Sequence, residues 1–215
     1  MKYGSLKILL PIVAAFAVGG AAFAADDAEA LYKAGLACAE KGDHARAAEL
    51  FAQAADQGQP EALFELGNCF LHGRGVAKDP AQAAGHFRSA ADQGHAGAQT
   101  ALGDCYYYGR GVDKDLARAV EYYRYAVERD DPAGMNGLGR CYYSGAGVEK
   151  NIPEAVKLFR AAAEQGDAAA QSNLGLCYEL GRGVKKDETE AAKWYRKAAA
   201  QGNTRAKKAL ERLGR

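Results

Sequence analysis

The sequence predicts an all-α superhelix assembled from consecutive helix–loop–helix units. Three observations carry that prediction. A block of residues recurs four times at a fixed period of 36; each block has a glycine pair at its centre; each then places alanine, an aromatic and alanine at helical spacing. A fixed period of roughly 20–50 residues marks a stacked array, in which no unit buries its apolar face alone.

Residues 1–24 stand apart from the array. Lys2 and Lys7 precede an apolar run from Ile8 to Val18, and small residues follow, ending in Ala22-Phe23-Ala24. A basic start, a short apolar core and an Ala-x-Ala site describe a cleavable export signal. The run is shorter than the ~20 residues that a membrane-spanning helix needs. The expectation is cleavage after Ala24, a periplasmic or secreted location, and no transmembrane segment in the mature chain.

Residues 25–58 form a shorter first unit. Gly35 and Cys38 stand where Gly67 and Phe70 stand in the next unit, and Ala47, Phe51 and Ala54 match its second helix. The central glycine-rich loop is missing, so this unit resembles a plain tetratricopeptide repeat.

Residues 59–202 hold four units of 36 residues. Their first helices carry Leu66-Gly67-Asn68-Cys69-Phe70, Leu102-Gly103-Asp104-Cys105-Tyr106, Leu138-Gly139-Arg140-Cys141-Tyr142 and Leu174-Gly175-Leu176-Cys177-Tyr178. Glycine pairs then stop each helix: Gly73/Gly75, Gly109/Gly111, Gly145/Gly147 and Gly181/Gly183, each pair followed by valine. The second helices start at Asp79-Pro80, Asp115, Asn151 and Asp187, which are N-cap residue types. Gln82, Glu154 and Glu190 lie three residues on and complete a capping box in three of the four units. Phe87, Tyr123, Phe159 and Tyr195, each flanked by alanines four before and three after, fill the space between paired helices.

Residues 203–215 read as a C-terminal capping helix. Ala206, Ala209, Leu210 and Leu213 make one apolar stripe, and Arg205, Lys207, Lys208 and Arg212 lie off it, facing solvent.

The four in-register copies of Leu-Gly-x-Cys-aromatic, Gly-x-Gly-Val and Ala-x-x-x-aromatic resemble the Sel1-like repeat family, a branch of the tetratricopeptide superfamily. The resemblance implies a right-handed α-solenoid that acts as an adaptor, binding a protein or peptide partner. Exported bacterial members are similar to scaffolds or regulators tied to the cell envelope, surface polysaccharide or host contact. A cysteine-rich branch pairs its cysteines across each helix pair and has been linked to β-lactams, so the alternative function is an enzyme acting on cell-wall or β-lactam substrates. Each repeat of this chain lacks the second cysteine of such a pair.

The composition offers little chemistry. Formal net charge is +1, and removing Lys2 and Lys7 leaves 26 basic against 27 acidic residues, so no basic field points to nucleic acid. None of Ser5, Ser89, Ser144 and Ser172 begins Ser-x-x-Lys or sits in Gly-x-Ser-x-Gly. His44, His72, His86 and His95 lack metal-ligand spacing, and His44 and His95 fall near unit junctions, where solvent is expected. No catalytic residue, metal or cofactor is therefore expected. Cys69, Cys105, Cys141 and Cys177 read as small buried apolar side chains, too far apart to bridge when helices stand ~8–10 Å apart.

In superhelices of this type the first helices line the concave side. The stripe exposed there reads Glu61, Phe64, Asn68 and Leu71; then Gly97, Thr100, Asp104 and Tyr107; then Ala133, Asn136, Arg140 and Tyr143; then Ala169, Ser172, Leu176 and Glu179. The residues expected to bind a protein or peptide are Phe64, Asn68, Leu71, Thr100, Asp104, Tyr107, Asn136, Arg140, Tyr143 and Ser172. Tyr107 and Tyr143 would stand side by side as anchors, with Asp104 and Arg140 one turn earlier.

Overall fold

The computed structural model describes residues 26–214, in which the regular elements are eleven α-helices. The expected export signal, residues 1–24, lies outside the described residues. Helices α1 (Asp26–Glu40) and α2 (His44–Asp56) form unit 1. Unit 2 is α3 (Pro60–His72) with α4 (Pro80–Asp92), and unit 3 is α5 (Ala96–Tyr108) with α6 (Leu116–Val127). Unit 4 is α7 (Pro132–Ser144) with α8 (Ile152–Glu164), unit 5 is α9 (Ala168–Leu180) with α10 (Glu188–Ala200), and α11 (Thr204–Arg212) ends the array. The two helices of each unit pack together, and the second packs on the first helix of the next unit, which makes the molecule an α-solenoid.

The helix boundaries follow from local chemistry. Asp79 accepts from the backbone N–H groups of Ala81 and Gln82, and the Gln82 amide donates back to its other oxygen at 2.9 Å. Asp115, Asn151 and Asp187 cap α6, α8 and α10 in the same place. Such a cap contributes ~1 kcal/mol. The first helices stop at Gly73, Gly109, Gly145 and Gly181, all left-handed, with φ of 70°, 69°, 77° and 66°. Each loop then closes on its own unit: the N–H of Asp79 donates to the Phe70 carbonyl at 2.9 Å, and Asp115–Tyr106, Asn151–Tyr142 and Asp187–Tyr178 repeat the bond.

The second glycine of each loop joins neighbouring units. A Cβ on Gly75, Gly111 or Gly147 would strike backbone atoms at the start of the preceding unit's second helix, at His44, Pro80 and Leu116 respectively. The loop can settle that closely only because the side chain is absent.

Within a unit, the helices meet through a ring seated on a glycine. A Cβ on Gly35, Gly67, Gly103, Gly139 or Gly175 would lie 2.6, 2.6, 2.7, 2.7 or 2.8 Å from the ring of Phe51, Phe87, Tyr123, Phe159 or Tyr195. All five rings are buried. Burial of one such side chain stabilises by ~1.5–3 kcal/mol relative to exposure. Beside the rings, Cys69, Cys105, Cys141 and Cys177 are buried and unpaired, and Cys38 is half-buried and unpaired. Burial pushes the thiols of Cys105, Cys141 and Cys177 up to about 11.

Like helices approach one another most closely along the first helices, α5 to α7 and α7 to α9, and second helices do not come as near. The first helices thus form the inner wall of the curve. The last helix continues their register: Asn203 caps α11 as Asp167, 36 residues earlier, caps α9. Ala206 and Ala209 are buried against the array as a capping helix requires. Arg205 and Arg212 are exposed, as read from the sequence, and they also reach back to α9 and bond Asn173 and Glu179.

Candidate peptide-binding groove

Three open cavities lie in a row along the inner wall. The first, about 470 Å³, is lined by Phe64, Asn68, Leu71, Thr100 and Asp104 with His72, Arg110 and Asp131. The second, about 220 Å³, is lined by Tyr107, Arg140, Tyr143, Phe159, Asn173 and Leu176 with Arg205. The third, about 440 Å³, lies between Leu176, Tyr195 and the basic side chains of α11. Shared residues link the second cavity to the third.

The structure brings eight of the ten expected residues to these cavities, and places the other two elsewhere. Ser172 is 2% exposed and its hydroxyl has no hydrogen-bond partner. Asn136 is 8% exposed and its carbonyl accepts from the Asn173 amide at 2.8 Å. For Asn136 the reason is how closely α7 packs on α5 and α6 of the preceding unit. A Cβ on Gly134 would lie 2.9 Å from the Thr100 hydroxyl, and one on Gly137 would lie 2.6 Å from the Tyr123 ring. Helices that meet through glycine cover the neighbouring stripe. Thr100 is also less available than its position implies, since its hydroxyl donates to Asp131 at 2.5 Å.

The two anchor tyrosines share a cavity wall without forming a ring-to-ring contact. Tyr107 packs edge-on to Tyr108, and the Arg140 guanidinium lies 5.0 Å from its ring centre. Tyr143 tilts against Phe159, and its hydroxyl accepts from Arg182 at 2.6 Å. His95 also departs from expectation. It is half-buried, stacks on Phe64 at 4.7 Å and caps α5, its Nδ1 accepting the Ala98 N–H at 3.0 Å.

Arg140 is the hub of the groove. It pairs with Asp104 at 3.3 Å and donates to the Tyr108 hydroxyl at 2.7 Å. Asp104 also accepts from the hydroxyl of Tyr123 at 2.6 Å. Tyr123 sits on α6, behind the wall, so its phenol passes between first helices to reach the groove. Burial, reinforced by the Asp104 carboxylate, pushes this phenol far up and keeps it a donor. A second such set closes the other end: Tyr195 donates to Glu179 at 2.7 Å, and Arg212 binds both Glu179 oxygens at 2.6 and 2.7 Å. Sequence reading missed both phenols, treating the second-helix ring as filler. The available signal was the alternation of Phe and Tyr at Phe87, Tyr123, Phe159 and Tyr195.

The arrangement offers aromatic walls, fixed charges and amide groups in a row, which suits an extended chain or a helix face. Among the described residues, no cluster of three or more His, Cys, Asp or Glu side chains could hold a metal ion, and no helix is long and apolar enough to cross a membrane.

Comparison with known proteins finds the Sel1 repeat at residues 60–95, 96–131, 132–167 and 168–203, and a tetratricopeptide repeat at residues 13–61. No curated protein matches the chain. Among solved structures, a Sel1 repeat protein from Oxalobacter formigenes is 33% identical, with a TM-score of 0.78, over 86% of this chain and 75% of that one. A protective antigen of uropathogenic Escherichia coli displaying an SLR fold is 35% identical, with a TM-score of 0.70, over 83% of this chain; the match spans 39% of the antigen. An immunity protein from Pseudomonas aeruginosa is 25% identical, with a TM-score of 0.61, over 83% of this chain and 67% of that one. Four matched repeats on one unbroken register, with this fold, mean that the chain belongs to the Sel1 repeat family.

Proposed function

We propose that the protein is an exported interaction scaffold that holds a protein or peptide along its inner wall, in cell-envelope assembly, regulation or host contact. The observation that carries this reading is the row of cavities on one face, built around Tyr107, Arg140 and Tyr143. Repeat arrays of this family serve as protein-interaction scaffolds, and their inner face is the surface such arrays commonly use. Export rests on the sequence of residues 1–24.

The test is capture from cell-envelope extracts, followed by affinity measurement with the captured partner. Replacing Tyr107 and Tyr143 together with alanine is expected to weaken binding more than tenfold, because a central aromatic anchor contributes ~2 kcal/mol or more. Lys193, exposed on α10 and paired with Glu190, is the control, and its replacement is expected to leave affinity unchanged. Unchanged affinity in the folded double variant would refute the groove. Mass measurement of the protein recovered from its native cells tests export: a mature chain beginning at Ala25 is expected, and a retained leader in the recovered protein argues against it.

A further inference from the structure

The groove is electrically polarised along its length, and α11 makes it so. At one register position, repeated every 36 residues, the inner wall reads Glu61, Gly97, Ala133, Ala169 and Arg205. The position three residues on ends in Lys208, where earlier units have Phe64, Thr100, Asn136 and Ser172. At the N-terminal mouth, burial and then the carboxylates of Glu65, Glu61 and Glu29 push the Tyr32 phenol up; Glu29 pairs with Lys33, and Arg110, which lines the first cavity, lies over the Tyr108 ring. At the C-terminal end, Arg205 and Lys208 line the third cavity, and Arg182 reaches the Tyr143 hydroxyl at the second.

Among the described residues, the cations at the C-terminal end outnumber their ion-pair partners. Arg140 has Asp104 and Arg212 has Glu179. Among the described residues, Arg182, Arg205 and Lys208 form no ion pair, and all three are exposed. Arg205 has only the neutral Asn173 carbonyl, at 3.2 Å. Between these cations and Arg140 lies the cavity with Tyr143, Phe159 and Leu176 in its wall.

We propose that α11 is the specificity end of the groove, and that its ligand is an acidic polypeptide segment with an apolar side chain beside its carboxylates. The apolar side chain enters the second cavity. The carboxylates meet Arg205 and Lys208, with Arg182 alongside. Guanidinium groups take carboxylates in paired hydrogen bonds, and the charge match also steers encounter. The glutamates at the opposite mouth repel the same segment, so it seats in one place rather than sliding along the wall. This inference rests on the groove reading above and names its ligand class.

The probe is a fluorescein-labelled peptide in which a phenylalanine is followed by a run of glutamates, titrated with the protein and read by fluorescence anisotropy. Salt-sensitive binding is expected, about tenfold tighter than for the same peptide with glutamines. Replacing Arg205 and Lys208 together with alanine should remove about that factor while circular dichroism is unchanged; exchanging them as Arg205→Lys and Lys208→Arg should retain it. Absence of binding, equal affinity for the two peptides, or full affinity in the alanine variant overturns the proposal. If the two peptides bind equally but both depend on Tyr107 and Tyr143, the groove survives and its acidic preference falls. If the acidic peptide depends on Arg205 and Lys208 but not on the tyrosines, the groove reading fails and the basic end remains. A single-stranded oligodeoxynucleotide that competes as well as the peptide would show a general polyanion site and overturn the polypeptide assignment.

Discussion

Phe87 and Tyr123 occupy the same place in units 2 and 3, each 0% exposed and each seated on a first-helix glycine. They differ by one oxygen. The ring of Phe87 tilts against Phe64 at 5.8 Å, so its role ends in apolar packing. Tyr123 is gripped from a second side by Gly137, and its hydroxyl emerges to hold Asp104, which in turn pairs with Arg140. The shared ring supports the array in both units. The unshared oxygen ties the support to the groove in only one. Repetition therefore marks what the fold needs, and departure from repetition marks the candidate groove.

The largest test of that contrast removes what is shared. Phe87→Ala and Tyr123→Ala should each destabilise by ~3–5 kcal/mol in urea unfolding, since each opens a cavity against a glycine that cannot fill it. A cost below ~1 kcal/mol for either would show that the ring is not a support there.

The cysteine beside each ring extends the contrast to pH. Buried neutral thiols at Cys105, Cys141 and Cys177 ionise near 11, whereas an unfolded thiol ionises at about 8.5. The unfolded chain loses these protons first. The contribution is complete below pH ~8.5 and fades as pH rises toward 11, by on the order of 1 kcal/mol per thiol per pH unit. Unfolding midpoints measured across that window should fall, and a flat profile would contradict burial of the thiols. Cys69 is 7% exposed against 1% for Cys105, so native alkylation followed by mass spectrometry should label half-buried Cys38 first and, among the four buried thiols, Cys69 first.

The smaller tests exchange the oxygen itself. Tyr123→Phe should cost ~1 kcal/mol and also lower affinity in the groove, because Asp104 loses a donor and holds Arg140 less firmly. Phe87→Tyr should change stability by less than ~1 kcal/mol and leave affinity unchanged, since the register that sets the Tyr123 hydroxyl on Asp104 would set the new hydroxyl toward Asn68, which can accept or donate. Equal effects on binding from the two exchanges would erase the distinction between support and groove.

Much of this was legible in the sequence because it repeats. The capping residues, the left-handed glycines and the buried rings all recur at one spacing, and local backbone chemistry decides each of them. The burial of Asn136 and Ser172 was not legible from periodicity, which assigns a residue to a face but not the distance to the helix opposite. For Asn136 that distance depends on Gly134 and Gly137, which interrupt the repeat. The role of α11 was hidden for a related reason: its basic residues look like the outside of a cap until Asn203 is seen to continue the register of Asp167.

The loop glycines have a mechanical consequence. Gly75, Gly111 and Gly147 set backbone directly against the backbone of the preceding unit, whereas Gly183 would first meet the methyl groups of Ile152 and Val156, at 3.0 Å. The last loop thus stands farther from the backbone it faces than the other three loops do. Under tension from end to end, the array is a chain of springs of unequal stiffness. The loop contact at the junction between units 4 and 5 is the loosest of the four, so extension in an optical trap is expected to begin there; extension that begins at an earlier junction would show that the loops do not set the stiffness.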